Sequence, residues 1–298
     1  MPDPGSCRVA LMFAGHMRDW EDRWPAHASV AQLWNADVFI HTWDDLGNVV
    51  RPKDDPLRGP SPAHNGKLDQ NHVVRTIKPK GILVENNREV IANKLRMDYD
   101  DYVYLLFKQA GIFSILSQLY SIQAVSVLRQ QYEQRMNLRY DYVIRVRIDW
   151  QPASRITPVM LEQTSEHKSL AVPTARYACH GHVVCDRCLE GRHDGTHVKE
   201  VCDMFAYGRA DAVDHACALY SVAGPVFASA VAELAPDPLQ WEALADEGPY
   251  KRRMVPAKPI SLRLDVPTFN PERLLMHHLA GYRLIESPWI GGVYRRRS

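Results

Sequence analysis

Residues 143–150 read Val-Ile-Arg-Val-Arg-Ile-Asp-Trp, a strict alternation of apolar and charged side chains. A period of two puts successive side chains on opposite faces of a strand. Ile144, Val146, Ile148 and Trp150 therefore share one face, and Arg145, Arg147 and Asp149 share the other. Few folds accept such a strand. Central strands of α/β sheets are apolar on both faces, and three charges along one face are costly unless they pair with one another or meet a ligand. Two readings fit. One is an Arg–Asp network facing solvent on an edge strand. The other is a strand whose charged carboxyl end lies at a ligand site, where open α/β sheets bind. In the second reading Asp149 suits a hard divalent cation, which in turn clamps a diphosphate. Arg145 and Arg147 then hold phosphate or orient the carboxylate.

The chain before this strand alternates strand and helix. Residues 9–14 are an apolar run that stops at Gly15-His16-Met17-Arg18, the mark of a buried strand entering a loop. A helix is expected over about residues 24–34, then a second buried strand at 37–44 that turns polar at its end. Such a β-α-β unit favours parallel strands and an open, mostly parallel α/β sheet flanked by helices. Residues 45–70, rich in Pro, Gly, Asp and Asn, read as a long surface loop. Residues 81–85 form a third strand, and about 100–135 a helix whose Ile112, Ile115, Leu116, Leu119 and Ile122 mark one apolar face. After the charged strand come a short strand at 203–208, an alanine-rich helix to about Leu234, a loop over 236–270, a helix opened by Pro271-Glu272 and a strand from Tyr282 to Ile285. One domain over 1–298 accommodates these elements, with residues 174–202 as a Cys/His-rich insertion.

Net charge narrows the function. The 36 basic and 35 acidic residues leave +1, without the basic excess of a nucleic-acid binder. No apolar run reaches the roughly 18–20 residues of a transmembrane segment, and Met1 to Cys7 does not read as a signal peptide. A cytoplasmic location is expected, and there the six cysteines serve as metal ligands or thiols rather than disulfides.

Further residues qualify as chemical groups. Gly15 lets backbone approach a ligand, and Arg18 supplies a phosphate or ribose contact; a tight turn explains the same glycine. Trp43, in the cluster His41-Thr42-Trp43-Asp44, stacks on a base or sugar, or else belongs to the core. Asp203 is a candidate general base for an acceptor hydroxyl. Glu272 is a second catalytic candidate, although a helix N-terminus favours an acid there in any case. Cys185-x2-Cys188-x4-His193-x3-His197 has the spacing of a small structural zinc site, except that a zinc knuckle wants its fourth ligand one residue later, where Val198 stands.

Several stretches together resemble a group of bacterial and viral glycosyltransferases of polysaccharide and lipopolysaccharide biosynthesis, with a GT-A-like fold. They are Gly15-His16-Met17-Arg18, residues 37–44 (Asp-Val-Phe-Ile-His-Thr-Trp-Asp), Ile77-Lys78-Pro79-Lys80 before Glu85, and Ser117-Gln118-Leu119-Tyr120-Ser121. Tyr140-Asp141-x-Val143-x-Arg145-x-Arg147-x-Asp149, Asp203-x-Phe205-Ala206-x-Gly208 and Pro271-Glu272 complete the series. The resemblance implies transfer of a sugar from a nucleotide-diphosphate donor to a glycan hydroxyl, with Mn²⁺ or Mg²⁺ near Asp149. It puts Gly15 and Arg18 at the nucleotide, with Thr42, Gln118, Tyr120 and Arg145 as further candidates, and Asp203 toward the acceptor. The chain departs from the pattern at the usual Asp-x-Asp metal motif, where Arg147 stands in the first Asp position. Two other readings stand beside it: a zinc-knuckle interaction protein built on 179–202, and a sugar-nucleotide-binding scaffold without turnover.

Overall fold

The computed structural model describes residues 7–47, 66–95, 98, 112–149, 156–173, 205–225, 275 and 278–287. They build one seven-stranded sheet of order β3-β2-β1-β4-β6-β5-β7. Its strands are β1 (Val9–Ala14), β2 (Asp37–Trp43), β3 (Gly81–Glu85), β4 (Tyr142–Val146), β5 (Ser169–Pro173), β6 (Phe205–Arg209) and β7 (Arg283–Ser287). Strands β3, β2, β1 and β4 are parallel neighbours. β6 runs antiparallel to both β4 and β5, and β5 pairs parallel to β7. The expected α/β sheet with flanking helices is present, but it is mixed, because one reversed strand sits between its two parallel parts.

Apolar side chains cover both faces, as a sheet layered between helices requires. On one face Met12, Phe39 and Val143 meet α4 (Ile112–Met136) through Leu116, Leu119, Ile122 and Val125, and α6 (Ala210–Cys217) through Ala212, Val213 and Ala216. On the other, Leu11, Phe13, Ile40 and Ile144 meet α1 (Trp20–Leu33) and α2 (Gln70–Ile77) through Trp20, Val30, Val73 and Ile77. Leu161 of α5 (Pro158–Glu162) closes that side.

Three departures from the sequence expectations have physical causes. Helix α1 starts four residues early, at Trp20, and carries Pro25 in its second turn. A proline that near the N-terminus deprives only one carbonyl of its helical partner. Helix α2 fills the stretch between the expected 45–70 loop and β3, to which the sequence assigned no element; Asp69 accepts the His72 N–H at 2.9 Å and Lys78 ends the helix in the left-handed region. Strand β4 stops at Val146, not Trp150. Its neighbour β1 pairs only as far as Phe13 and leaves the sheet at Gly15, whose φ of 99° turns the chain, so β1 offers nothing for residues 147–149 to pair with. Trp150, the Cys/His-rich segment 174–202, Asp203 and Glu272 lie outside the described residues.

Candidate active site at the carboxyl edge of the sheet

The strand order reverses between β1 and β4. The chain proceeds outward from β1 to β2 and β3, then returns to place β4 on the other side of β1. Crevices at such a point, beyond the carboxyl ends of the strands, are where open α/β sheets bind ligands. Two segments end there: Gly15 to Arg18 after β1, and Arg147 to Asp149 after β4.

Arg147 and Asp149 form a two-point ion pair. Nε of Arg147 donates to Oδ1 of Asp149 at 3.0 Å and Nη2 donates to Oδ2 at 2.6 Å. Burial pushes the Asp149 carboxyl up, but the charge of Arg147, its hydrogen bonds and the charge of Arg18 outweigh it, and Asp149 titrates below the usual carboxylate range. Arg18 lies close enough to feel both partners. Burial lowers its pKa most, Arg147 lowers it further, and Asp149 opposes them. Its Nε is buried without a hydrogen-bond partner among the described residues. His16 is pulled down first by burial and then by Arg18, although its Nδ1 stands 3.2 Å from Asp45 Oδ1. Gly47, at φ 82°, fits against the His16 ring so closely that a Cβ there would stand 2.7 Å from Cγ.

Behind this edge runs a buried polar chain. The Gly15 N–H donates to Ser121 Oγ on α4 at 2.7 Å, and Ser121 Oγ stands 2.7 Å from His41 Nδ1. His41 Nε2 reaches Glu85 Oε2 at 2.8 Å, and the Tyr120 hydroxyl donates to the same oxygen at 2.9 Å. Glu85 accepts both, so His41 carries its proton on Nε2 and Nδ1 accepts from the Ser121 hydroxyl. The His41 hydrogen bond, more than the opposing burial, holds Glu85 below its ordinary pKa. Burial and the Glu85 carboxylate push Tyr120 up.

The structure brings Gly15, Arg18, Arg147 and Asp149 together, with Tyr120 behind them. Thr42 points to the α1 side, fully buried, with its hydroxyl toward its neighbour's carbonyl. Trp43 is 1% exposed, edge-on to His41 and stacked near Tyr120. Arg145 is 3% exposed on the α6 side, near Cys217. Gln118 is half-buried on α4. Sequence reasoning missed His16, His41, Glu85 and Ser121 as interacting groups. A histidine amid the apolar Val38-Phe39-Ile40 run was the available signal for His41.

Asp149 is the described residue nearest the expected metal position, and it is already paired. Both carboxylate oxygens are engaged by Arg147. Among the described residues, no three His, Cys, Asp or Glu side chains come together as metal ligands. Nor is any helix among them long and apolar enough to cross a membrane.

No family model and no curated protein matches the chain. Among solved structures it is similar to the apo form of mouse xyloside xylosyltransferase 1, at 10% identity, covering 94% of this chain and 85% of that one, with a TM-score of 0.40. At that score the two are alike only in outline.

Proposed function

We propose that the chain is a glycosyltransferase that takes a nucleotide-diphosphate sugar and passes the sugar to a glycan hydroxyl. One observation carries the reading: Arg18, whose buried Nε is unsatisfied among the described residues, and Arg147 meet where the strand order reverses, at a glycine turn. The ordered motifs of the sequence, from Gly15-x-x-Arg18 to Asp203-x-Phe205, support it.

In this reading the Gly15 turn lets the nucleotide approach backbone, and the guanidinium groups face the diphosphate. Transfer forms a bond from the acceptor oxygen to the anomeric carbon and breaks the bond from that carbon to the phosphate oxygen. The diphosphate leaves with the electron pair, and cationic groups already in place stabilise the charge that grows on it. The acceptor hydroxyl loses its proton to a carboxylate, for which Asp203 is the candidate. Asp203 lies two residues before Phe205, and Phe205 is paired with Val146 at the end of β4.

The test is thermal stability against nucleoside diphosphates and sugar nucleotides, on wild type and Arg18→Ala. Saturation at a hundredfold over Kd adds about 2.7 kcal/mol, which for a chain of this size raises Tm by about 4 °C. A shift with one nucleotide class, reduced in Arg18→Ala, is expected. If no diphosphate or sugar nucleotide gives a shift, the reading is wrong.

A further inference from the structure

We propose that Arg147 takes the place of the divalent cation, so that the donor diphosphate is held by Arg18 and Arg147 without metal and Asp149 serves to position Arg147. The inference rests on the nucleotide-sugar reading and adds to it how the phosphates are bound.

The argument begins with Asp149. A cation there would share a carboxylate that already meets the Arg147 fork through both oxygens, at 3.0 and 2.6 Å. The planar guanidinium matches a carboxylate in this two-point way and does not lose its charge. An incoming Mn²⁺ or Mg²⁺ would have to share that carboxylate with a guanidinium and accept its positive charge close by. Among the described residues no second and third acidic or imidazole ligand comes together to repay that. Magnesium in particular is held by hard oxygen donors in near-octahedral order, which this corner does not assemble.

The same corner is well suited to an anion. The Arg147–Asp149 pair is neutral as a unit, and Arg18 stands beside it as a second guanidinium, with Asp19 and Asp45 also acting on its charge. Two guanidinium groups near each other repel, and each raises the attraction for a phosphate lying between them. The buried Nε of Arg18 has no acceptor among the described residues, and a phosphate oxygen supplies one.

The experiment is calorimetric titration of the nucleoside diphosphate selected by the thermal screen. It is run on wild type in EDTA and in Mn²⁺, and on Arg147→Gln in EDTA, with the ligand-free Tm of the variant measured alongside. Wild type should bind with the same Kd within about twofold in EDTA and in Mn²⁺. Arg147→Gln should bind roughly tenfold or more weakly in EDTA, the worth of one charge-assisted hydrogen bond to phosphate, at a Tm that shows it folded. Binding by wild type that requires Mn²⁺ would overturn the inference and leave the donor reading standing. Unchanged affinity in Arg147→Gln would overturn it as well. If no diphosphate binds in either buffer, the donor reading fails first.

Discussion

The Gly15 amide and the Ser121 hydroxyl meet at 2.7 Å across 106 residues of sequence. Gly15 also points its N–H toward the His41 carbonyl at 3.2 Å. The turn after β1 is thus fixed by α4 and β2 together, and the positive φ of Gly15 is held by tertiary contacts. Ser121→Ala should leave His41 Nδ1 without a donor and weaken the hold on Gly15. A loss of about 1–3 kcal/mol is expected, seen as a lower urea midpoint with an unchanged m-value. No loss would mean that the buried chain from Gly15 to Tyr120 does not stabilise the turn.

Gly47 is a sharper probe of the same edge. Its φ is 82°, and an added Cβ would stand 2.7 Å from the His16 ring. Gly47→Ala should cost about 1–2 kcal/mol from the backbone alone. It should also push His16 away from Asp45 and disturb the loop that carries Arg18. Tm should fall and nucleoside diphosphate binding should weaken together, whereas a surface glycine would affect neither.

A different prediction concerns the joint between α4 and α6. Arg129 is fully buried; its Nη2 donates to both Asp214 oxygens at 2.5 and 2.6 Å, and its Nη1 stands 2.8 Å from Glu133 Oε2. Arg129→Met keeps the volume but strands two carboxylates. Breaking a buried pair from one side costs about 3–5 kcal/mol, so this variant should be far less stable than Ser121→Ala in the same urea series.

Acid should loosen the C-terminal strand. His215 and His278 stack at 4.2 Å, and each Nε2 bonds the other's backbone carbonyl, at 3.0 and 2.6 Å. Burial holds the His278 pKa below its ordinary value of 6.5, and the neighbouring His215 charge lowers it too, although the carbonyl bond opposes. The unfolded chain therefore takes up a proton as pH falls through about 6.5, while the folded chain does not until a lower pH. This contribution to stability is complete above about 6.5 and is lost as pH drops toward the folded value. Tm should decline between pH 7.5 and 5.5, and His278→Gln, which keeps a side-chain donor, should flatten the decline. An equal slope in both proteins would rule out the histidine pair as its source.

Much of this architecture is legible in the chain. The parallel strands β1 to β4 announce themselves as short apolar runs or period-two alternation, and the charged end of β4 points to the carboxyl edge. Helix α2 escapes notice because eight residues give too few turns for a periodic signal. Ser169-Leu170-Ala171-Val172-Pro173 is too short and too mixed to declare itself as β5, and it becomes a strand through pairing with β6 and β7. The polar chain behind the site is less accessible still. Gly15, His41, Glu85 and Ser121 come from three strand ends and a helix, and only the folded sheet brings them into one line. The meeting of Arg18 with Arg147 was suggested by their strand-end positions, but the closed fork between Arg147 and Asp149 depends on β4 ending at Val146.

Strand β6 runs against β4, with Phe205 level with Val146 and Arg209 level with Tyr142. Its amino end therefore starts at the rim where the parallel strands finish. A parallel strand would reach that rim only with the residues that follow it. The reversed one begins there, with Phe205 level with Val146. The sheet therefore brings a strand start as well as strand ends to one rim, and two chain directions meet there.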